Sequence, residues 1–220
     1  MQSPTTTELE LSSQDWQLSV HDLCCFRDDR ELFKDLNFTL SSGQALFIEG
    51  RNGSGKTSLI RILTGLRLPE AGEVTWCGEK ITRLGHEYCR HFVYVGHLNG
   101  VKENLTVLEN LKMARVLGQT SSGMPLTEAL EQVHLTHFEE SMVHTLSAGQ
   151  HRRLALARML VIGSPLWIMD EPFTALDKYG VELFESLLKS HTDSGGMAVM
   201  TSHHDMNLSD VDVMVLTLGK

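Results

Sequence analysis

A glycine-rich stretch, Ile48 to Gly65 (IEGRNGSGKTSLIRILTG), most restricts what this chain can fold into. Gly50, Gly53 and Gly55 leave a turn almost without Cβ atoms, so its backbone N–H groups can point inward and line a site for an anion. The segment Gly50 to Thr57 fits the pattern G-x-x-x-x-G-K-[ST]. The pattern predicts a loop that binds the phosphate groups of a nucleotide.

The residues on either side of this loop support the same interpretation. The run Ala45 to Glu49 (ALFIE) is typical of a short buried strand. Apolar residues then recur at helical spacing, at Leu59, Ile60, Leu63 and Leu66. The loop therefore joins a strand to a helix N-terminus, where free N–H groups and the helix macrodipole favour negative charge. We expect Lys56 to reach the β- and γ-phosphates and the Thr57 hydroxyl to bind Mg²⁺.

Length and charge argue against several classes of protein. A chain of 220 residues is long enough for one large domain or for a domain with a subdomain. Its formal net charge of −9 argues against a nucleic-acid partner and against direct binding to an anionic membrane, since both depend on Lys and Arg. The longest apolar region, 154–169, is interrupted by Arg158, Gly163 and Pro165, and it falls short of the ~20 apolar residues that a spanning helix needs. Contact with a membrane is therefore expected only through partners.

The N-terminal segment and the cysteines carry no targeting or metal-binding signal. Residues 1–15 lack the basic start and the apolar core of a signal peptide, so we expect a mobile lead-in to one domain over 16–220. The cysteines form no C-x-x-C or C-x-x-C-H motif; they are Cys24, Cys25, Cys77 and Cys89. We interpret them as reduced thiols of a cytosolic protein, and we expect neither a zinc site nor covalently bound haem.

The order of predicted strands and helices indicates an α/β fold. Near the start, alternating apolar and polar residues favour a half-buried antiparallel sheet, at 16–23 and 36–40. Further strand candidates follow at 72–76, 92–95, 166–169 and 197–201, and a helical stretch over 178–191 separates the last two. The region from 106 to about 159 has a helical period, with Thr106 and Glu109 as a capping box at its head. We therefore expect a parallel sheet covered on both faces, with this region as a helical insert.

Two acidic residues, Asp170 and Glu171, follow the apolar strand candidate 166–169. They are expected at the carboxyl edge of the sheet, which is where open α/β sheets bind ligands. Asp170 can enter the shell of Mg²⁺, and Glu171 can polarise an attacking water. A solvated acidic turn before Pro172 is the alternative, but a phosphate-binding loop on the same sheet favours a functional pair.

A second helix N-terminus is predicted within Leu146 to Leu160 (LSAGQHRRLALARML). Ser147 and Gln150 have the spacing of a capping box, and Gly149 lies between them. Backbone donors and a hydroxyl therefore converge at an end that the helix macrodipole makes favourable for anions. Taken alone, the pattern predicts only a well-capped amphipathic helix.

Together these motifs resemble those of the ATP-binding cassette (ABC) ATPases. Residues 50–57 match the Walker A motif of that family, LSAGQ (146–150) matches its signature, LWIMDE (166–171) its Walker B motif and ALD (175–177) its D-loop. The motifs stand in the order of the family, and the likeness extends over about 16–220. It implies a P-loop NTPase fold of the ABC type, with an N-terminal antiparallel β subdomain and a helical insert.

The resemblance also implies a shared site, in which two chains enclose two ATP molecules. Each ATP is then bound by the Walker A loop of one chain and by the signature of the other. Glu171 is the implied general base, Thr57 and Asp170 are the implied Mg²⁺ ligands, and His203, in preference to His204, is the implied sensor of the γ-phosphate. The implied nucleotide-binding residues are Gly50, Arg51, Asn52, Gly53, Ser54, Gly55, Lys56, Thr57, Ser58, Ser147, Gly149 and Gln150.

Two positions depart from the family pattern. Where the family has a glutamine that touches Mg²⁺, this chain has His97, whose neutral ring offers a single acceptor. His97 is therefore a candidate metal ligand whose contact stays open. The aromatic residue that stacks on adenine has its nearest candidate in Phe26, one position earlier than expected. Stacking on adenine and packing in the core are both open for Phe26.

The segment 94–111 (YVGHLNGVKENLTVLENL) resembles the ATPase subunits of cytochrome c biogenesis systems, often called haem exporter ATP-binding proteins. This likeness implies a peripheral subunit on the cytoplasmic face of a bacterial inner membrane, bound to membrane-embedded permease subunits. Its ATP hydrolysis would drive haem export or delivery to c-type cytochromes. The alternatives are a non-transport ABC ATPase, such as an iron–sulfur assembly factor, and the ATPase of another small exporter. A P-loop kinase would leave LSAGQ without a role.

Overall fold

A computed structural model describes residues 15–28, 30–96, 98–118, 123–201 and 211–219. The strands are β1 (Gln17–Arg27), β2 (Arg30–Ser41), β3 (Gln44–Gly50), β4 (Ala71–Trp76), β5 (Glu79–Lys80), β6 (Phe92–Val95), β7 (Leu166–Asp170), β8 (Met197–Thr201) and β9 (Asp212–Leu218). The α-helices are α1 (Lys56–Leu63), α2 (Ile81–Leu84), α3 (Val107–Gly118), α4 (Leu126–Gln132), α5 (Ala148–Ile162) and α6 (Lys178–Asp193). Two 3₁₀ helices lie at Gly85–Arg90 and Val143–Thr145.

The antiparallel sheet near the start of the chain is confirmed. Its strands lie in the order β2-β1-β4-β5, and β1 pairs with both β2 and β4. Leu18 and Val20 of β1 are buried, as the alternating pattern predicts, and Gln17 and His21 beside them are exposed, but Ser19 between them is buried as well. This sheet lies over the first helix and, as described below, supports the glycine-rich loop.

The parallel sheet is also confirmed, with strand order β6-β7-β8-β3-β9. Because its strands are parallel, their carboxyl ends meet at one edge, where β3 ends at Gly50, β7 at Asp170 and β8 at Thr201. Strand β8 lies between the other two, since Thr201 pairs with Asp170 on one side and with Ile48 on the other. The fold thus brings the glycine-rich loop and the acidic pair to the same edge.

Two apolar clusters cover the two faces of the parallel sheet. Successive residues of a strand alternate between them: Leu46 and Ile48 pack with α1 and the antiparallel sheet, whereas Ala45 and Phe47 pack with the remaining helices. Strands β7 and β8 are buried at every position, which explains why their sequences are continuously apolar. The core therefore fixes the edge on which the functional residues lie.

The first helix is shorter than its apolar spacing predicts. Helix α1 ends at Leu63, and Gly65 follows with a φ of 72°, the left-handed conformation that commonly terminates a helix. Leu66 lies beyond this end and is 69% exposed, so its assignment to the buried helix face is wrong. Leu59, Ile60 and Leu63 are buried as predicted.

The region predicted as a helical insert contains α3, α4 and most of α5. Its capping box is confirmed: the Glu109 carboxylate accepts from Thr106 N at 2.8 Å, and the Thr106 hydroxyl accepts from Glu109 N at 3.2 Å. Helix α5 continues to Ile162, three residues past the predicted boundary at 159. The limits of the insert and the lead-in over 1–15 stay predictions, and residues 1–14 lie outside the described part of the chain.

Among the helices of the described ranges, none combines the length and the apolar character needed to cross a bilayer. The four cysteines are free thiols, with Cys24 and Cys25 buried and Cys77 and Cys89 exposed.

Candidate nucleotide-binding site

The glycine-rich loop depends on glycine for its shape at two positions. Gly50 has a φ of 148°, and a Cβ there would lie 2.5 Å from Ser54 Oγ and 2.6 Å from Leu218 O. Gly55 caps α1 with a φ of 105°, and a Cβ there would press on the side chains of Leu32 and Phe33 of β2 at 3.1 and 3.2 Å. The antiparallel sheet thus holds the loop from one side, which leaves no room for a side chain at Gly55.

Lys56 closes the loop from within. Its ammonium donates to Gly50 O at 2.7 Å and to Arg51 O at 3.4 Å, and the residue is only 7% exposed. These two bonds bring the positive charge over the backbone turn, at the N-terminus of α1. An anion in this loop would meet both the ammonium and the free N–H groups of the helix.

The rest of the loop offers further polar groups to a phosphate. Arg51, Asn52 and Gly53 are exposed, and no atom lies within 4 Å of a Cβ built at Gly53. Ser54 is buried, and its hydroxyl has no hydrogen-bond partner among the residues that the structure describes. The exposed backbone at 51–53, the buried Lys56 ammonium and the unsatisfied Ser54 hydroxyl are suited to binding phosphate oxygens.

The acidic pair lies at the ends of β7 and β8, joined by a threonine that the sequence did not single out. Asp170 is 2% exposed, and its Oδ1 accepts from Thr201 Oγ1 at 2.7 Å. The same Thr201 oxygen accepts from Glu171 N at 2.9 Å. Glu171 has a φ of 53° and is half-buried, so its position differs from that of the fully buried Asp170. The two carboxylates therefore have different surroundings, as expected for different roles.

The donor set suits Mg²⁺ bound through a nucleotide. Thr57, half-buried in the first turn of α1, supplies a hydroxyl, and Asp170 supplies a carboxylate, both oxygen ligands of the kind that this ion prefers. Within the described ranges, no three His, Cys, Asp or Glu side chains cluster as a self-sufficient metal site. Mg²⁺ is typically held by one or two protein ligands together with phosphates and water, so the residues fit that ion.

Electrostatics around Asp170 extend to the neighbouring strand β6. Burial, followed by the negative charge of Asp170, raises the pKa of Tyr94, while Arg61 lowers that pKa to a smaller extent. The tyrosine therefore stays protonated near neutral pH, and it adds no negative charge to the site.

The signature residues begin α5 in the predicted way. The Ser147 hydroxyl accepts from Gln150 N at 3.2 Å, and the Gln150 side chain accepts from Ser147 N at 2.8 Å. Such a cap stabilises a helix by about 1 kcal/mol. A pocket beside it is lined by Ser147, Gly149, Gln150 and Arg153 and by the D-loop, Ala175 to Asp177. None of these lining residues belongs to the loop 50–58, so the two predicted anion sites of one chain do not share this pocket.

Phe26 is 37% exposed and does not belong to either core cluster, so the core alternative for this residue is wrong. It lies near the end of β1, next to Cys25. Stacking of Phe26 on adenine stays a prediction. His97 and His203 lie outside the described residues.

Sequence reasoning missed Arg152 and Thr201. Arg152 sits in the run HRR after the signature, where an exposed arginine on the polar side of the helix is the ordinary expectation. It is instead 3% exposed, and it hydrogen-bonds to the backbone of Glu171. Thr201 ends a buried strand, and only the strand order places its hydroxyl between two carboxylate residues. No local pattern signals either contact.

Comparison with known proteins agrees with this geometry. The family model described as ABC transporter matches residues 33–174. The chain is 47% identical over 203 residues to the cytochrome c biogenesis ATP-binding export protein CcmA of Shewanella frigidimarina, which covers 91% of the chain and 93% of that relative. It is 43% identical over 215 residues to the protein of the same name from Photobacterium profundum, which covers 92% of the chain and 100% of the relative.

A solved structure of the ATP-binding subunit of an ABC transporter superposes on the chain with a TM-score of 0.81. The sequence identity is 23%, and the match covers 91% of the chain and 87% of that structure. At this identity the likeness concerns the fold.

Proposed function

This chain belongs to the ABC transporter family, and from that premise we propose that it is the ATP-hydrolysing subunit of a membrane complex for c-type cytochrome biogenesis, with haem as the species exported or delivered. The observation that carries this proposal is the 43–47% identity to cytochrome c biogenesis export proteins over more than 90% of the chain. In this chain the glycine-rich loop and the acidic pair also lie at one edge of the parallel sheet.

ATP binding is assigned to the Walker A loop and the start of α1. The N–H groups of the loop, the Lys56 ammonium and the Ser54 hydroxyl surround the β- and γ-phosphates, because these are the donors that the loop turns inward or leaves unsatisfied. Phe26, exposed beside α1, stacks on the adenine in this arrangement. Thr57 and Asp170 would hold Mg²⁺, which would neutralise charge on the phosphates.

Hydrolysis is assigned to Glu171. A water molecule attacks the γ-phosphorus, its proton passes to the Glu171 carboxylate, and the bond from that phosphorus to the bridging oxygen breaks, so that ADP and phosphate leave. His203, which lies outside the described residues, is assigned to the γ-phosphate by family resemblance. Glu171 suits the role of base because it is half-buried at the edge, whereas Asp170 is enclosed.

A second copy of the chain completes each site in this proposal. The capped N-terminus of α5 has favourable anion-binding character, but its pocket is lined without any residue of the chain's own Walker A loop. Two chains facing each other would bring the signature of one to the ATP on the other. Closing this gap over ATP converts binding energy into a movement of two subunits.

The complex is proposed to lie on the cytoplasmic face of a bacterial inner membrane. Membrane-embedded permease subunits would anchor the chain there, since the net charge of −9 disfavours direct binding to anionic lipid. His97, in the segment that resembles the cytochrome c biogenesis ATPases, is proposed to act at the join between the ATP site and these partners.

The proposal predicts a specific defect in a bacterium that lacks this chain. Deletion of its gene in the source organism should remove covalently bound haem from c-type cytochromes, as measured by haem staining of denaturing gels. The natural chain should restore the staining, and it should co-purify with integral membrane proteins from detergent. A Lys56→Met chain should not restore it. Normal c-type cytochromes together with defective iron–sulfur enzymes would instead identify an assembly factor.

A further inference from the structure

A buried arginine, Arg152, links the signature helix α5 to the ends of two strands. Its Nε donates to Pro172 O at 2.7 Å and its Nη2 to Glu171 O at 3.0 Å, just after β7. Its Nη1 donates to Asn99 Oδ1 at 3.0 Å and to Gly96 O at 3.3 Å, just after β6. One guanidinium therefore holds two loops at the edge where ATP is proposed to react.

The surroundings of this guanidinium are unusual for a buried cation. Arg152 is 3% exposed, and each of these four acceptors is a neutral carbonyl or amide oxygen. Burial lowers the pKa of Arg152 to about 10, so the group is still charged at neutral pH. Burying a charge is costly, and an apolar side chain would fill this space without that cost. Unlike an apolar side chain, the planar guanidinium has five donors in a fixed arrangement, and it therefore fixes the positions of the oxygen atoms that it bonds.

The backbone of Glu171 is what that geometry controls. Its φ of 53° is a left-handed conformation that non-glycine residues rarely adopt and that surrounding contacts must maintain. Three contacts do so: Glu171 N donates to Thr201 Oγ1 at 2.9 Å, and Glu171 O accepts from Arg152 Nη2 at 3.0 Å and from Thr174 N at 3.3 Å. With both peptide groups held, the direction in which the Glu171 side chain leaves the backbone is fixed.

We propose that Arg152 is a positioning residue, which holds Glu171 in its reactive orientation and ties that orientation to the signature helix. This inference rests on the proposed role of Glu171 as the general base. Ser147, the cap of the same helix, lies five residues before Arg152, so a movement of the helix end on contact with a second chain's ATP is passed to the carboxylate of its own site. Arg152 touches none of the residues of the loop 50–58 through these bonds.

The first test compares two arginines of the same helix. Arg158 is half-buried and donates to Asn99 O at 2.8 Å, and this bond goes neither to Glu171 nor to Pro172. In the full chain, Arg152→Met should lower kcat by about 10-fold or more, because small displacements of a reacting group have effects of this size. ATP affinity should stay within about 2-fold, and Arg158→Met should leave kcat within about 3-fold of the natural chain.

The second test removes the carboxylate on which Arg152 is proposed to act. In a Glu171→Gln background, adding Arg152→Met should change single-turnover hydrolysis by less than about 2-fold, because a positioning effect vanishes with the group that is positioned. A general structural role would slow both backgrounds equally. Arg152→Lys keeps the charge and some of the donors, so it should recover part of the lost kcat. Equal losses in both backgrounds, or equal losses in the Arg152 and Arg158 variants, would overturn the proposal.

A third measurement does not depend on turnover. Amide hydrogen exchange over 171–176 in the nucleotide-free chain should be faster in Arg152→Met, or in Arg152→Lys if the first variant does not fold, than in Arg158→Met. Unchanged exchange over 171–176 would contradict the inference even if ATP hydrolysis were altered. A natural chain that neither binds nor hydrolyses ATP would overturn the proposed function instead. The exchange measurement would still test whether Arg152 holds the backbone at Glu171 and Pro172.

Discussion

Replacing Glu171 by glutamine is expected to slow ATP turnover by roughly 100-fold or more, while ATP still binds. The carboxylate is half-buried at the sheet edge and can accept a proton, whereas the amide of glutamine has nearly the same shape and cannot. The loop that binds the phosphates is unchanged, so the dissociation constant for ATP should stay close to that of the natural chain. Phosphate release and equilibrium binding of ATP measure the two quantities separately.

The control for this variant is Glu182→Gln. Glu182 is an exposed carboxylate on α6, and its oxygen lies 3.8 Å from the Lys178 ammonium. The Glu182→Gln substitution removes the same charge as Glu171→Gln, but away from the sheet edge. Exposed pairs of this kind contribute little, so its turnover should match that of the natural chain. Near-normal hydrolysis by Glu171→Gln would remove Glu171 from the role of base.

Replacing Lys56 by methionine is expected to weaken ATP binding by about 100-fold. Charge-assisted bonds contribute about 1.5–3 kcal/mol each, and the Lys56 ammonium, now paired with Gly50 O and Arg51 O, is placed to bond two phosphates. Because a ligand that binds only the folded state raises Tm, ATP at a concentration that saturates only the natural chain should stabilise that chain and leave Lys56→Met nearly unchanged. Titration calorimetry and thermal melts with and without ATP measure both effects.

Lys189→Met is the matched control for the lysine variant. Lys189 lies on α6, where its ammonium pairs with Asp193 at 2.9 Å, and it contacts no residue of the loop through that pair. This control should bind ATP as tightly as the natural chain. If Lys56→Met bound ATP with unaltered affinity, the loop would not be the phosphate site.

Local signals in the sequence predicted those parts of the molecule that local forces determine. The two capping boxes, at Thr106 and at Ser147, formed as their spacing indicates, because a side chain and a backbone group three residues apart satisfy each other without help from the rest of the fold. Strands β7 and β8 were recognisable because burial on both faces requires a continuous apolar run.

Features that depend on long-range packing were not predictable in this way. Leu66 fits the helical period, but Gly65 turns the chain out of α1 just before it. The burial of Arg152 depends on where β6 and β7 end. Its contacts there, Gly96 and Glu171, are 56 and 19 residues away along the chain. The bridging role of Thr201 depends on the order of the strands, which periodicity does not encode.

The central claim is that the Walker A loop and the capped signature helix are two halves of one ATP site, completed by a second chain. The most direct test is the mass of Glu171→Gln in solution, measured by light scattering with and without Mg²⁺ and ATP. Without nucleotide, the account predicts the 24.6 kDa of a single chain, and with ATP it predicts twice that mass. A mass that stays at 24.6 kDa while ATP is bound would contradict it.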